Sequence, residues 1–234
     1  VEIQFRTMSM DFWASMEHRI NYKKERQDRE KLVKELKEHA RKLEKIEKEL
    51  EKTLSPKRFR HSAGVAEMAR HLAHLYGASE EKAYLAGWIH DCAKEMTLSE
   101  MQHVVKKAHL TFDDAKHMLG SRALLHGPAG SVLAKTAFGI DDEEIRGAIY
   151  YHTTGRVGMT LLEKIVFLAD YIEPNRDFPG VEDLRLLAEK DLDEAVLAAY
   201  DSTISHLIDQ EAYIYGLTFL GRNDMVEKRE KTGR

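Results

Sequence analysis

Four times along this chain a Thr or Asp is followed three residues later by Glu and then by apolar residues. This repeated helix-start signal constrains the fold more than any other feature. Thr97-x-x-Glu100 and Thr160-x-x-Glu163 have the form of capping boxes, in which a hydroxyl accepts from a free helix amide and the Glu reaches back to the cap. Asp141-x-x-Glu144 and Asp191-x-x-Glu194 use Asp as the cap, and their acidic first turns suit the positive end of the helix dipole. After Thr160, the residues Leu161, Leu162, Ile165, Val166, Leu168, Ala169 and Ile172 recur at helical spacing until Pro174 stops the run. No alternating segment of strand length appears apart from a short stretch at Leu217–Leu220, and there is no internal repeat. The expected fold is all-α, a helical bundle.

A chain of 234 residues can bury one substantial core and carry an appendage. With 43% hydrophobic and 32% charged residues it has the composition of a globular protein with a heavily charged surface. Between about Tyr22 and Lys52 the chain is dominated by Lys, Glu and Arg, with Leu32, Leu36, Leu43, Ile46, Leu50 and Leu54 spaced as one stripe of a long amphipathic helix. His39 and Ala40 fill the gap in that stripe, which makes it a weak heptad. Three roles stay open for this helix: a coiled coil that forms a homodimer, a lid over an active site, or a helix packed on its own domain. A small apolar cluster of Phe5, Met8, Met10, Phe12 and Trp13 precedes it. The expected organisation is an N-terminal extension over 1–54, a helical domain over 55–220 and a charged tail over 221–234.

The net charge of −4 argues against broad attraction to nucleic acid or to an anionic membrane, so any anionic substrate must be held by a local pocket. Cys92 is the one cysteine, which excludes an internal disulfide framework. No run of about 18 apolar residues and no charged-then-apolar leader is present, and the cytoplasm is the expected compartment.

Chemistry concentrates where polar residues interrupt apolar helices. His90 and Asp91 end the run Ala83-Tyr84-Leu85-Ala86-Gly87-Trp88-Ile89, where burying two adjacent polar side chains is costly unless a metal or a hydrogen-bond network satisfies them. Neighbours on a helix point about 100° apart, so the pair can reach two metals, or Asp91 can bridge them while His90 takes one. His61, His126, His152 and Asp170 lie in comparably apolar or small-residue surroundings, with His61 opening the run His61-Ser62-Ala63-Gly64-Val65-Ala66. Imidazole and carboxylate donors suit iron, manganese, zinc or cobalt, and the lack of a Cys set argues against a structural zinc site. The other histidines, His18, His39, His71, His74, His103, His109, His117 and His206, read as surface or satisfied residues. Cys92 reads as a small buried hydrophobe.

His61, His90-Asp91 and Asp170 reproduce the H…HD…D pattern, and four longer words extend it: Ala86 to Glu95, Leu125-His126-Gly127-Pro128-Ala129-Gly130, His152-Thr153-Thr154-Gly155 and Ala169 to Arg176. From Ser55 to about Leu220 the chain resembles the YqeK-type branch of the HD-domain metal-dependent phosphohydrolases, whose members are symmetrical diadenosine tetraphosphate hydrolases. The residues before Ser55 are not part of this resemblance. It implies two divalent ions, iron first, with manganese or zinc as alternatives. His61, His90, Asp91 and Asp170 would surround one ion, and Asp91, His126 and His152 the other. It further implies that Asp91 bridges the metals, that an activated water attacks a central phosphorus, and that Lys94 assists.

Charge on the phosphates calls for nearby cations, and Arg58, Lys94 and Arg176 are spaced to supply them; their equivalents in the family bind the nucleotide. The resemblance also implies a nucleoside pocket at Gly158, Met159 and the segment Tyr213-Ile214-Tyr215-Gly216-Leu217-Thr218, where a glycine permits close approach and an aromatic ring can stack on a base. Tyr213, Ile214 and Leu217 could equally be the core of a last helix. Another HD-domain nucleotide phosphohydrolase or phosphodiesterase, or a nucleotide-binding scaffold with a weak site, are the competing functions.

Overall fold

A computed structural model of the protein describes residues 41–231. They fall into two compact units that divide between Thr53 and Leu54. In the smaller, residues 41–53 are helical, and Leu43, Ile46 and Leu50 of the expected stripe are buried. The earlier part of the expected long helix and the cluster of Phe5, Met8, Met10, Phe12 and Trp13 lie outside the described residues.

The larger unit consists of ten helices: α1 (Pro56–Tyr76), α2 (Glu80–Ile89), α3 (Leu98–Lys107), α4 (Ala115–Gly120), α5 (Arg122–Thr136), α6 (Glu143–Tyr151), α7 (Leu161–Ile172), α8 (Val181–Ala188), α9 (Leu192–Asp209) and α10 (Gly216–Lys231). Among the described residues there is no strand, and no helix is long and apolar enough to cross a membrane.

Local chemistry accounts for most of these boundaries. Thr97 and Thr160 form complete capping boxes with Glu100 and Glu163 at the starts of α3 and α7, and Asp191 caps α9 by accepting from the amides of Asp193 and Glu194. The fourth expected start shifts by one residue. Asp142, not Asp141, caps α6, accepting from the amides of Glu144 and Ile145. The Asp141 carboxylate is drawn instead to Lys135 at 2.8 Å and Arg146 at 3.3 Å. A second correction concerns Leu217–Leu220, which is helical within α10. The tail expected from residue 221 continues this same helix to Lys231, so the boundary expected at 220 falls inside an element. His61 stands in the second turn of α1, which starts at Pro56 behind a Ser55 cap, rather than at its opening.

The helix pairs that matter here are held close by glycines. α1 packs on α2, α7 on α1, and α6 on both α5 and α7. A Cβ on Gly87 of α2 would stand 2.6 Å from Cα of Ala66 on α1, so this pair approaches backbone to backbone. Likewise, a Cβ on Gly127 of α5 would lie 2.6 Å from the Tyr150 carbonyl oxygen at the end of α6. Each glycine sits beside a histidine of the candidate cluster, three residues before His90 and one after His126. Val65, Leu72, Trp88, Ile89, Ile149, Ile165 and Leu168 complete the core, each at 1% exposure or less. Burying a side chain of that size contributes roughly 1.5–3 kcal/mol.

Because the atoms that meet a Cβ at Gly87 are backbone and cannot swing away, Gly87→Ala should destabilise the fold by about 1–3 kcal/mol. Gly120→Ala, at a helical position with nothing within 4 Å, should stay within about 0.5 kcal/mol of the parent. Urea unfolding of the two variants checks the contrast.

Candidate metal centre

Three helices, the ends of two more and the turn after α2 deliver the polar atoms. α1 carries His61, α5 carries His126 and α7 carries Asp170, while His90 and His152 are the residues that end α2 and α6. Beyond Ile89 the α2 helix tightens into three-residue turns, with the amides of Cys92, Lys94 and Met96 donating to the carbonyls of Ile89, Asp91 and Ala93. In such a turn residues i and i+3 eclipse. Asp91 and Lys94 therefore come to the same side, with Nζ 3.5 Å from Oδ1.

The donors gather into two adjoining groups. In one, His61 Nε2 is 3.0 Å from Asp170 Oδ1 and 3.3 Å from His90 Nε2. In the other, His126 Nε2 lies 2.9 Å from His152 Nε2 and 3.1 Å from Asp91 Oδ1. His61, His90 and Asp170 form one set able to hold an ion, and His90, Asp91 and His152 another. Asp91 stands between them, with Oδ2 3.7 Å from His61 and Oδ1 3.6 Å from His152.

Hydrogen bonding on the far side of each ring decides which nitrogen is free. Nδ1 of His90 lies 2.6 Å from the Gly87 carbonyl, Nδ1 of His152 2.7 Å from that of Ile149, and Nδ1 of His126 3.3 Å from that of Arg122. A carbonyl only accepts, so these Nδ1 atoms carry the proton and Nε2 presents a lone pair inward. His61 Nδ1 faces the Glu173 carboxylate at 3.1 Å in the same sense. Burial pushes the pKa of His90 down to about 3 and that of His126 to about 4, keeping both imidazoles in the neutral, ligating form. Burial also opposes a proton on His61, but Asp170 and Glu173 outweigh it and hold that ring's pKa above its ordinary value.

Lone pairs and carboxylate oxygens thus converge with few protons between them. Lys94 Nζ donates to His126 Nε2 at 3.0 Å, and the Thr153 hydroxyl stands 3.1 and 3.0 Å from Nε2 of His126 and His152. Asp91 Oδ1 is buried and accepts no hydrogen bond at all. An orphaned buried carboxylate oxygen ordinarily costs several kcal/mol. Divalent cations relieve that cost, so the donor set fits a metal site.

Cations line the rim. Arg58 Nη1 reaches Asp91 Oδ2 at 2.6 Å, and Arg176 holds the Asp170 carboxylate at 2.7 Å and its carbonyl at 2.9 Å. Cys92 is half-buried beside Gly130, and desolvation together with the Asp91 charge pushes its thiol above the usual value, away from thiolate chemistry.

Two cavities flank the cluster. An apolar one of about 450 Å³ is lined by Tyr213, Tyr215, Thr218, His117, Leu124 and Thr153 among others, and Thr153 joins it to the His126–His152 side. A basic one of about 570 Å³ is lined by Arg58, His61 and Arg176 on the other side. Of the expected nucleoside residues, Tyr213, Tyr215 and Thr218 line the apolar cavity, whereas Gly158, Met159, Ile214, Gly216 and Leu217 do not. The Gly158 amide donates to Asp224, Met159 packs under Tyr200, and Leu217 lies against the core around Met101 and Met118. His71 and His74 pair with Glu189 and Glu80 at the surface, in keeping with their reading. His117 does more than that reading allowed: its ring stacks on Tyr213 at 3.7 Å, and Asp114 receives both His117 Nδ1 and the Tyr213 hydroxyl.

Three further residues escaped the sequence reading. Thr153 follows His152 directly, and its hydroxyl stands beside both His126 and His152. Glu173 is buried, orients His61 and is itself held by the Asn175 amide and side chain. Arg185 donates to the carbonyls of Ile172, Glu173 and Arg176, clamping the turn that carries Glu173. Thr153 and Glu173 had a signal, lying inside the His152-to-Gly155 and Ala169-to-Arg176 words, and Arg185 had none.

The way this helical fold gathers its histidines and aspartates is that of an HD domain. Residues 58–175 match the HD domain family, and the chain belongs to it. Within the family its relatives are symmetrical bis(5'-nucleosyl)-tetraphosphatases. The one from Halalkalibacterium halodurans is 43% identical over 173 residues, 74% of this chain and 91% of that protein. That of Bacillus subtilis is 40% identical over 174 residues, again 74% and 91%. A crystal structure of a predicted HD superfamily hydrolase involved in NAD metabolism from Clostridium acetobutylicum is 41% identical, with a TM-score of 0.76, and the match covers 80% of this chain and 97% of that one. A stretch of 39 residues, 17% of the chain, is 56% identical to the GTP pyrophosphokinase YwaC of Bacillus subtilis and covers 19% of it. So short a match assigns no activity.

Outer partners of a ligating histidine typically carry a 10–100-fold effect on metal affinity. Glu173→Gln keeps the shape but weakens the acceptor behind His61, and it should lower metal affinity by about that factor in a competition titration with a chelating dye.

Proposed function

We propose that the chain hydrolyses diadenosine tetraphosphate symmetrically, giving two ADP, at a pair of divalent ions held by His61, His90, Asp91, His126, His152 and Asp170. Iron is the first choice, with manganese and zinc as alternatives that the same donors accept. The observation that carries this reading is the convergence of imidazole lone pairs and a buried Asp91 oxygen that accepts no hydrogen bond, rimmed by Arg58, Lys94 and Arg176. The named activity of the relatives supplies the substrate.

When bound, the metals supply Lewis acidity toward phosphate oxygens and acidify water near neutral pH. The protein's own groups do the rest. Asp91 is poised between the two donor groups and offers one oxygen to each. Lys94 brings an ammonium to within 3.5 Å of Asp91 Oδ1, where it can neutralise charge building on a phosphate in the same place. Arg58 and Arg176 are now paired with ligand carboxylates, and an incoming tetraphosphate offers their planar forks a second set of oxygens. Water adds to one central phosphorus, the bond from that phosphorus to the bridging oxygen breaks, and the second nucleoside diphosphate leaves with that oxygen. Thr153 sits where the apolar cavity meets the cluster, so the bound half of the substrate enters beside His126 and His152.

The test is chromatography of the products from diadenosine tetraphosphate with the iron- or manganese-loaded protein. Two equivalents of ADP are expected; AMP with ATP contradicts the symmetrical cut, and no turnover with either metal moves the assignment to a nucleotide-binding scaffold. Asp91→Ala should abolish both metal binding, read by elemental analysis, and turnover. Lys94→Ala should keep the metal and lower kcat by about 100-fold, the scale of a lost transition-state contact. Removing residues 1–53, a separate compact unit, should leave turnover largely intact.

A further inference from the structure

The basic cavity has features that the metal cluster does not use. It is lined by Lys57, Arg58, Arg60 and Arg176, against two carboxylates, Glu173 and Asp177. Glu173 is spent on His61 and Asn175. Arg58 and Arg176 each hold a ligand carboxylate, but among the described residues neither Lys57 nor Arg60 has an acidic partner. Lys57 and Arg60 outnumber Asp177, the one carboxylate left, and such an excess of cations raises the local potential and draws in polyanions, even on a chain whose net charge is −4. Phe178 gives the same cavity one apolar wall, half-buried edge-on against Tyr171 at 5.1 Å.

The two cavities differ in kind. The apolar one offers the His117–Tyr213 stack and, besides His117, a single charged side chain, Lys116. The basic one offers mainly charge. They meet the cluster at different donors, one through Thr153 beside His126 and His152, the other through His61 itself. A tetraphosphate cut at its centre has a nucleoside diphosphate on each side of the reacting phosphorus, and both halves must be held.

We propose that the basic cavity is the half-site for the second, leaving nucleoside diphosphate, with Lys57 and Arg60 as its phosphate contacts and Phe178 as a wall for the base. This rests on the symmetrical reading given above. The apolar cavity then holds one base by stacking, which any base satisfies, while the basic cavity holds phosphate, so neither half-site discriminates strongly between bases. Both cavities fall in the size range of small-ligand sites.

Calorimetric titration of the metal-loaded full chain with ADP tests the half-site apart from turnover. The parent should bind two ADP per chain. Lys57→Glu with Arg60→Glu should remove one of them and raise KM for diadenosine tetraphosphate by about 10-fold, and Arg60→Ala alone should do so to a lesser degree. Tyr213→Ala should weaken the other ADP. Replacing one adenine of the substrate with guanine should change kcat/KM less than about 3-fold. A parent that binds one ADP, or charge-reversed variants that retain two ADP and the parent KM, overturns the half-site. Failure of the parent to cleave diadenosine tetraphosphate refutes the symmetrical reading, while the ADP stoichiometry still decides whether the cavity binds a nucleotide.

Discussion

Everything in the larger unit is organised around one electrostatic constraint, the crowding of hydrogen-bond acceptors about Asp91. Its Oδ1 is buried without a donor, and the Nε2 atoms of His126 and His152 face it at 3.1 and 3.6 Å. Such a cluster is unfavourable for an isolated chain and is stabilised only by cations. Arg58, Lys94 and Arg176 provide part of that charge from the protein, and divalent metal, which the His and Asp sets are able to hold, would provide the rest. The fold must therefore hold the acceptors together against their own repulsion.

It does so with short-range devices. Gly87 and Gly127 let α2 lie against α1 and α5 against the end of α6 at distances that any side chain would prevent. Backbone carbonyls one turn behind His90, His126 and His152 fix the tautomer and orientation of each ring. The fourth ring, His61, has no such carbonyl and relies on Glu173, whose turn Arg185 clamps through three carbonyl contacts. The end of α2 adds the three-residue turn that eclipses Asp91 with Lys94 and so couples this buried acceptor to a cation. These features are packing and hydrogen bonding, and their product is a set of donors whose orientations are fixed by the protein itself.

The surroundings of the cluster are asymmetric where the proposed substrate is symmetric. One flank presents an aromatic stack and the other a set of arginines and a lysine. The division has a physical basis, since a stacking surface grips the face of a base and a cationic one holds phosphates. Under the proposed function, it would let a single cluster grip two chemically equal halves by different means.

Much of this was legible in the residues. Helix starts are local, and Thr97, Thr160 and Asp191 mark theirs correctly because a capping hydrogen bond spans only two or three residues. Asp141 misled by one position because two cations outside the start signal, Lys135 and Arg146, compete for its carboxylate. Leu217–Leu220 misled because four apolar residues carry no period of their own. The sequence by itself determined the all-α class and the types of donor available, since a His or Asp inside an apolar helix announces its own burial. Only the tertiary structure decided the rest: that Glu173 stands behind His61 across 112 positions, that Thr153 links a cavity to the cluster, and that His117 stacks on Tyr213. Contacts of that kind depend on how closely helices far apart in the chain approach, and that distance is set by glycines and packing rather than by any local signal.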